Sequence, residues 1–100
     1  MGMLDFLGKK VAAGMGAMAT PPVNFNTMVL LHASGAMVHL GEVANPETGK
    51  ETVNLPMAKF SIDMLELLRE KTRGNLTPDE QNFINGNLST LRMKYVSKQG

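Results

Sequence analysis

Two histidines and one carboxylate are the residues of this sequence whose types and spacing come closest to a chemical site. His32 and His39 lie seven residues apart, and Glu42 follows three residues later. Imidazole and carboxylate groups are common ligands of transition metals. Seven residues of helix separate the imidazoles by about 10 Å, too far for one ion unless a second copy of the chain supplies symmetry mates. We therefore predict no metal and no cofactor, with both histidines satisfied by backbone or carboxylate groups.

Other catalytic arrangements find little support. The chain has no Cys, which excludes disulfides, thiolate metal sites and a thiol nucleophile. The carboxylates of Asp63, Glu66 and Glu70 recur at helical spacing on a polar stripe that faces water, not in a pocket of the kind that active sites use. Since no nucleophile or acid–base pair is arranged for catalysis, we expect a non-enzymatic protein.

The charge balance gives no reason to expect a nucleic-acid partner. The chain of 100 residues contains ten Lys and Arg residues and nine Asp and Glu residues, so its net charge is close to zero. Phosphate binding needs a clustered basic surface, and the basic residues of the second predicted helix alternate with acids. A ribosome- or RNA-associated role is kept as an alternative. It would depend on six basic side chains, which are Arg69, Lys71, Arg73, Arg92, Lys94 and Lys98.

Prolines and glycines divide the chain into segments. Pro21 and Pro22 separate residues 1–22 from a helical domain of residues 23–100, because proline cannot continue a helix. A second break lies near residues 45–50. There Pro46 suits the second position of a turn, and Gly49 can adopt a positive φ.

The first predicted helix covers residues 23–41. Asn24 or Asn26 can cap its N-terminus, and Gly41 suits its C-terminal stop. Its side chains are apolar nearly all round, which is typical of a buried helix, although it is too short to span a membrane. Small residues in its middle let another helix approach closely. They are Ala33, Ser34, Gly35 and Ala36.

The second and third predicted helices form an antiparallel hairpin joined by residues 74–76. The second helix covers residues 55–73, is capped by Asn54 and carries pairs spaced for ionic contact. The third begins with a capping box of Thr77 and Glu80. The pairs are Lys59 with Asp63 and Glu66 with Arg69, and the apolar side of the third helix is Ile84, Leu88, Leu91 and Tyr95. The predicted fold class is therefore all-α, with three helices.

Three helices of this size have more apolar surface than they can bury against one another. Exposed apolar patches of several hundred Å² usually mark interfaces, and a two-fold homodimer needs only one self-complementary surface. We therefore expect a homodimer. Its candidate self-association residues are Ala33, Gly35, Ala36, Phe60, Met64 and Leu67.

The segment before the prolines has an amphipathic pattern with three open interpretations. Leu4, Leu7 and Val11 share an apolar face, while Lys9 and Lys10 are polar. Residues 1–22 can be a tail that becomes helical on a partner. Residues 3–18 can instead lie on a membrane surface, with the lysines among headgroups, which makes a peripheral membrane protein the second alternative. Residues 1–19 also have features of an export signal, although the apolar stretch is short and contains glycine.

Several short motifs together carry a family resemblance. They are His39-Leu40-Gly41-Glu42, Pro46-Glu47-Thr48-Gly49, Val53-Asn54-Leu55, Ala58-Lys59, Ile62-Asp63, Leu65, Lys71-Thr72, Gly74-Asn75-Leu76-Thr77, Leu91-Arg92 and Tyr95-Val96. Over about residues 25–96 the chain resembles the small bacterial proteins of domain of unknown function family 1844. The resemblance implies a bacterial protein with a compact helical domain, and it carries over no catalytic or ligand residues.

The resemblance singles out the helix end at residues 39–42 and the turn at residues 46–49 as a binding surface, since functional residues often lie on loops held by a rigid scaffold. The alternative is that Gly41 only ends a helix and the turn only reverses the chain. We expect a cytoplasmic, non-enzymatic interaction or adaptor protein. Its candidate contact residues are His39, Gly41, Glu42, Pro46, Gly49, Leu4, Leu7 and Val11.

Overall fold

The computed structural model describes residues 20–100, and these residues form three α-helices. The helices are α1 (Phe25–His39), α2 (Leu55–Lys71) and α3 (Pro78–Gln99). The predicted all-α class with three helices is confirmed. The sequence prediction places both ends of α1 and the C-terminal end of α2 two residues too far out. The positions next to the observed helices are taken by the cap residues Asn24, Leu40 and Thr72.

Asparagine side chains begin the first two helices. Asn24 caps α1, and its Oδ1 atom accepts a hydrogen bond from the Thr27 backbone N–H at 2.8 Å. Asn54 caps α2 in the same way, with 3.2 Å between its Oδ1 atom and the Met57 nitrogen. Each cap satisfies a backbone donor that has no partner within the first turn of a helix. Of the two predicted caps of α1, the structure therefore selects Asn24 over Asn26.

The predicted capping box at the start of α3 is confirmed. The Thr77 hydroxyl accepts a hydrogen bond from the Glu80 backbone N–H at 3.1 Å, and the Glu80 carboxylate accepts one from the Thr77 N–H at 2.9 Å. The two acidic residues of the first turn, Asp79 and Glu80, also favour the positive end of the helix dipole. Local sequence therefore determines where α3 begins.

The α2–α3 hairpin is antiparallel, as predicted. Arg69 of α2 donates a hydrogen bond to the Asn85 side chain of α3 at 3.0 Å, and Glu66 forms an ion pair with Arg92. Residue numbers thus fall along α2 as they rise along α3. The prediction that Glu66 pairs with Arg69 is wrong, because both side chains turn towards α3 and find partners there.

The core lies where the three helices meet. Each helix contributes residues at helical spacing, and Leu40 joins them from just beyond α1. Apolar burial of this kind is the main favourable contribution to folding. The core residues are Val29, Ala33, Ala36, Leu40, Ala58, Ile62, Leu65, Ile84, Leu88 and Leu91.

Only one side of α1 is buried within one chain, whereas the sequence predicts burial all round. Val29, Ala33 and Ala36 point into the core. Leu31, on the opposite side, is 66% exposed, and Met28 is 45% exposed. The reason is geometric, because α2 and α3 both pack against the same half of the α1 surface.

Candidate interaction surface

The C-terminal end of α1 is closed by a glycine in the left-handed conformation. Gly41 has a φ of +75°. Its N–H donates to the Val38 carbonyl at 3.0 Å, and the Glu42 N–H donates to the Met37 carbonyl at 3.0 Å. This pair of bonds is the Schellman arrangement, which satisfies the last carbonyl groups of a helix.

The loop that joins α1 to α2 begins and ends at neighbouring points, because its first and last residues contact each other. Leu40 and Val53 form an isolated antiparallel bridge, and the Asn54 N–H donates to the His39 carbonyl at 2.7 Å. A Cβ atom at Gly41 would lie 2.8 Å from Cγ2 of Val53, closer than real contacts allow. These contacts give Gly41 a structural role in joining α1 to α2. Binding of a partner by residues 39–42 stays a prediction.

The turn at residues 46–49 is organised by Asn45. Its Oδ1 atom accepts a hydrogen bond from the Glu47 N–H at 2.8 Å, and its carbonyl accepts one from the Gly49 N–H at 2.7 Å. Gly49 has a φ of +72°, and both Pro46 and Gly49 are exposed. The turn therefore reverses the chain and leaves its tip in water.

Glu42 ties this loop to the end of α3. Its carboxylate oxygens lie 3.1 Å from Nζ of Lys94 and 3.3 Å from Nζ of Lys98. Hydrogen bonds from Lys94 and then from Lys98 lower the pKa of the Glu42 carboxyl below its ordinary value of 4.5. Both oxygens of Glu42 are thus engaged within the chain.

The two histidines do not form a metal site with this carboxylate. His32 and His39 are each half-buried on α1, and Glu42 is held by the lysines of α3. Within residues 20–100, no group of three or more His, Cys, Asp or Glu side chains could hold a metal ion.

The basic side chains of α2 and α3 are largely paired. Arg73 forms an ion pair with Glu70, in addition to the pairs of Arg92, Lys94 and Lys98 described above. Arg69 contacts an asparagine amide. Four of the six basic residues, Arg73, Arg92, Lys94 and Lys98, are thus paired with carboxylates among residues 20–100.

The candidate self-association residues separate into two groups. Ala33 and Ala36 lie in the core of a single chain, and Gly35 faces α2, where a Cβ atom would lie 4.0 Å from Oγ of Ser61. Their small size allows α1 and α2 to approach each other within one protomer. Of the others, Phe60 and Leu67 are exposed on the side of α2 that faces away from the core, and Met64 beside them is half-buried.

A row of apolar side chains follows this outer side of α2. Met57, Phe60, Met64 and Leu67 are separated by three, four and three residues, which places them along one line of the helix. Phe60 is 57% exposed and Leu67 is 49% exposed. We call these four residues the outer stripe. Met57 was not among the predicted candidates, although its position three residues before Phe60 could have identified it.

A second apolar surface lies at the N-terminal end of α1, on both sides of its N-cap residue. It is a shallow depression of about 340 Å³, and its lining contains no charged side chain. We call it the α1 groove. Its residues are Pro21, Pro22, Val23, Asn24, Thr27, Met28 and Leu31.

A smaller apolar patch lies near the end of α3. Met93 is 70% exposed and Val96 is also exposed, beside Arg92 and Ser97. Neither Met93 nor Val96 was predicted as a contact residue, because the sequence pattern does not show which side of α3 stays uncovered.

The remaining predicted contact residues, Leu4, Leu7 and Val11, lie outside the described residues. The same is true of the possible membrane-surface segment at residues 3–18 and the possible export signal at residues 1–19. Among residues 20–100, none of the helices is long and apolar enough to cross a membrane.

Comparison with known proteins identifies one family. Residues 22–97 match the family model described as Domain of unknown function (DUF1844). Neither the curated proteins nor the solved structures contain a match to the chain.

Proposed function

The chain belongs to the DUF1844 family, and we propose that it is a small, non-enzymatic helical interaction protein that self-associates through the outer stripe of α2. The row of Met57, Phe60, Met64 and Leu67, of which all but Met64 are exposed, carries this proposal. Large apolar side chains in water cost roughly 25 cal/mol per Å² of exposed surface. A contact that removes them from water is therefore favourable.

The extent of the outer stripe suits the centre of a dimer interface. Side chains of this size present on the order of 150–200 Å² when fully exposed, so Met57, Phe60 and Leu67, each about half exposed, together offer about 260 Å². A standard interface buries about 800 Å² on each partner, with an apolar centre and a polar rim. The stripe supplies the centre. The rim comes from neighbouring polar residues of α2 such as Lys59 and Asp63, whose ion pair at 2.8 Å is confirmed as predicted.

A second copy of the chain is the occupant that fits this row. A two-fold axis crossing α2 near Met64 places Phe60 against Leu67 of the partner subunit and, by symmetry, Leu67 against the partner's Phe60. Each apolar residue then meets another apolar residue. Because every contact occurs twice, one self-complementary row generates the whole interface.

The oligomeric state of the full chain tests the proposal. We expect sedimentation velocity to show a reversible dimer at tens of micromolar protein. Phe60→Asp should weaken the dimer at least about a hundredfold, because the charge is introduced twice and an aromatic residue in an interface centre contributes strongly. A monomeric wild-type chain at these concentrations would overturn self-association.

Met93→Asp is the matched control. Met93 is exposed to a similar degree as Phe60 but lies on α3, away from the outer stripe. We expect it to leave the dimer intact. Circular dichroism of both variants checks that each remains helical, and equal weakening by both substitutions would contradict the assignment of the interface to α2.

A further inference from the structure

A polar cleft lies between the end of α2 and the first turns of α3. Its volume is about 300 Å³, and it is lined by two arginines and two amides, which are Arg69, Arg73, Gln81 and Asn85. We propose that this cleft binds a phosphate group, either as inorganic phosphate or as the terminal group of a small phosphomonoester. All four residues belong to one chain and none is part of the outer stripe, so the proposal does not depend on dimer formation.

The spacing of the four residues places them on two facing walls. Gln81 and Asn85 are four residues apart on α3, so they lie on the same side of that helix. Arg69 lies in the last turn of α2, and Arg73 follows four residues later. The Arg73 backbone N–H donates to the Glu70 carbonyl at 3.3 Å, which continues the turn just past the end of the helix. The arginine wall therefore faces the amide wall across the hairpin.

Arg69 brings a positive charge to the cleft without a carboxylate to neutralise it. Its side chain is half-buried, and its Nη1 atom donates to Oδ1 of Asn85 at 3.0 Å. No carboxylate among residues 20–100 forms an ion pair with it. A guanidinium has five N–H donors, so most of the hydrogen-bonding capacity of Arg69 is left for a ligand.

The amide wall adds donors that carry no charge. Oδ1 of Asn85 accepts hydrogen bonds from Arg69 and, at 3.3 Å, from Nε2 of Gln81. Both bonds use the oxygen of Asn85, so its NH2 group can donate to a ligand. The internal bonds thus hold the side chains of Arg69, Gln81 and Asn85 in place before a ligand arrives.

The ion pair between Arg73 and Glu70 competes only weakly with a ligand. The Arg73 side chain is 78% exposed and that of Glu70 is 63% exposed. Ion pairs this exposed contribute little, because water and salt screen them. Arg73 can therefore turn from Glu70 to a bound anion at small cost.

The lining suits phosphate better than a planar anion. Each guanidinium presents N–H donors in a fork that matches two phosphate oxygens. The tetrahedral phosphate has further oxygens that the opposite wall can contact, whereas one fork occupies both oxygens of a carboxylate. Two arginine charges also match the roughly two negative charges of a phosphate group at pH 7. A volume of about 300 Å³ leaves room for a small organic group beside the phosphate.

Titration of the full chain with inorganic phosphate, followed by amide chemical shifts in NMR spectra, tests the proposal. Sodium chloride keeps the ionic strength constant. We expect saturable shifts at residues 69–73 and 81–85, with residues 57–64 unaffected. A second titration with phenyl phosphate distinguishes the two sources of the group. Tighter binding of phenyl phosphate assigns the cleft to a phosphomonoester, and equal or weaker binding assigns it to the free ion.

Two substitutions on α2 separate the cleft from net charge. Arg69→Gln should weaken phosphate binding about tenfold or more, because it removes charge-assisted hydrogen bonds. Lys71→Gln is the matched control, since it removes the same charge from the same helix but Lys71 does not line the cleft. We expect this control to keep the affinity within about twofold, because salt screens an exposed charge outside the cleft.

Asn85→Asp is a variant that should keep the fold and lose the site. It puts a carboxylate where Arg69 now contacts an amide oxygen, so it neutralises the cleft from within. We expect no saturable shifts with phosphate. The helical circular dichroism signal should be retained, and the Tm at pH 7 should not fall.

Four results would overturn the proposal. They are an absence of saturable shifts at residues 69–73 and 81–85, equal weakening by Arg69→Gln and Lys71→Gln, and binding of acetate as tight as that of phosphate. The fourth is tighter binding of a single-stranded RNA oligonucleotide than of phenyl phosphate, which would assign the arginines to a nucleic-acid surface.

Discussion

The outer stripe of α2 follows directly after the loop that joins α1 to α2. Polar groups of the loop have partners within the chain, whereas apolar side chains of the stripe stay exposed. In the loop, backbone groups and the Glu42 carboxylate find partners within the chain. In the outer stripe, Phe60 and Leu67 leave about half of their surface in water. Both regions were predicted to contact partners.

The difference distinguishes residues that the local backbone requires from residues that it does not require. The motifs at residues 39–42 and 46–49 are specific because a helix end, a close backbone approach and a turn require those residues. The outer stripe has no such local requirement. Phe60 and Leu67 are left exposed there, which makes the stripe the better candidate for an interface.

The largest expected effect is on the loop. Gly41→Ala should lower the free energy of unfolding by about 3 kcal/mol, because an L-residue at positive φ costs about 1–2 kcal/mol and overpacking against a neighbour adds about 1–3 kcal/mol. Chemical denaturation of the full chain measures this change.

Gly49→Ala is the control for this substitution. Gly49 has nearly the same φ, but no atom lies within 4 Å of the position that its Cβ would take. We expect a loss of only about 1 kcal/mol, from backbone conformation alone. Equal losses for the two variants would show that the contact between Gly41 and Val53 is unimportant.

An intermediate effect is expected for the ion pairs of Glu42. Because the folded state lowers the pKa of this carboxyl below 4.5, its stabilisation is fully present above pH 4.5. It is lost as the pH falls through the lowered pKa. Glu42→Gln should therefore be less stable than wild type at pH 7, and the difference should shrink towards acidic pH.

The matched control is Glu47→Gln in the same loop. Glu47 is exposed, and its carboxylate takes part in no ion pair among residues 20–100. Its substitution should change the free energy of unfolding at pH 7 by less than about 0.5 kcal/mol, as is usual for exposed positions. If the difference between Glu42→Gln and wild type stays constant with pH, the ion pairs with Lys94 and Lys98 do not contribute to stability.

The smallest effect on folding is expected in the outer stripe. Leu67→Lys should change the unfolding free energy of the dilute monomer by less than about 0.5 kcal/mol, as is usual for exposed positions. The wild-type Tm should rise with protein concentration, and that rise should disappear in Leu67→Lys, because only a dimer couples stability to concentration. A concentration-dependent Tm in Leu67→Lys would locate the interface elsewhere.

Much of the fold could be predicted from local chemistry. The capping box of Thr77 and Glu80, the cap at Asn54 and the helix stop at Gly41 depend on neighbouring residues alone, and the structure contains all three. The partner of Glu66 could not be predicted in this way. Its choice of Arg92 depends on how α2 and α3 pack.

The candidate surfaces show the same limit. Helical spacing groups Phe60, Met64 and Leu67 on one side of α2, and in the structure the first and last of these are exposed while Met64 is half-buried. It cannot decide whether the small residues Ala33 and Ala36 face a second copy or their own neighbours, and the structure places them in the core. Which half of an apolar helix is covered depends on the positions of the other two helices.

The backbone bridge between Leu40 and Val53 has a practical consequence for protein engineering. Because the bridge and the Asn54–His39 hydrogen bond hold the two ends of the loop together, the spacing of α1 and α2 does not depend on how much polypeptide lies between them. Lengthening such a closed loop at an exposed tip costs little entropy. An epitope or a fluorescent reporter inserted after Glu47 would thus be carried outside the helical domain, leaving α1 and α2 in register.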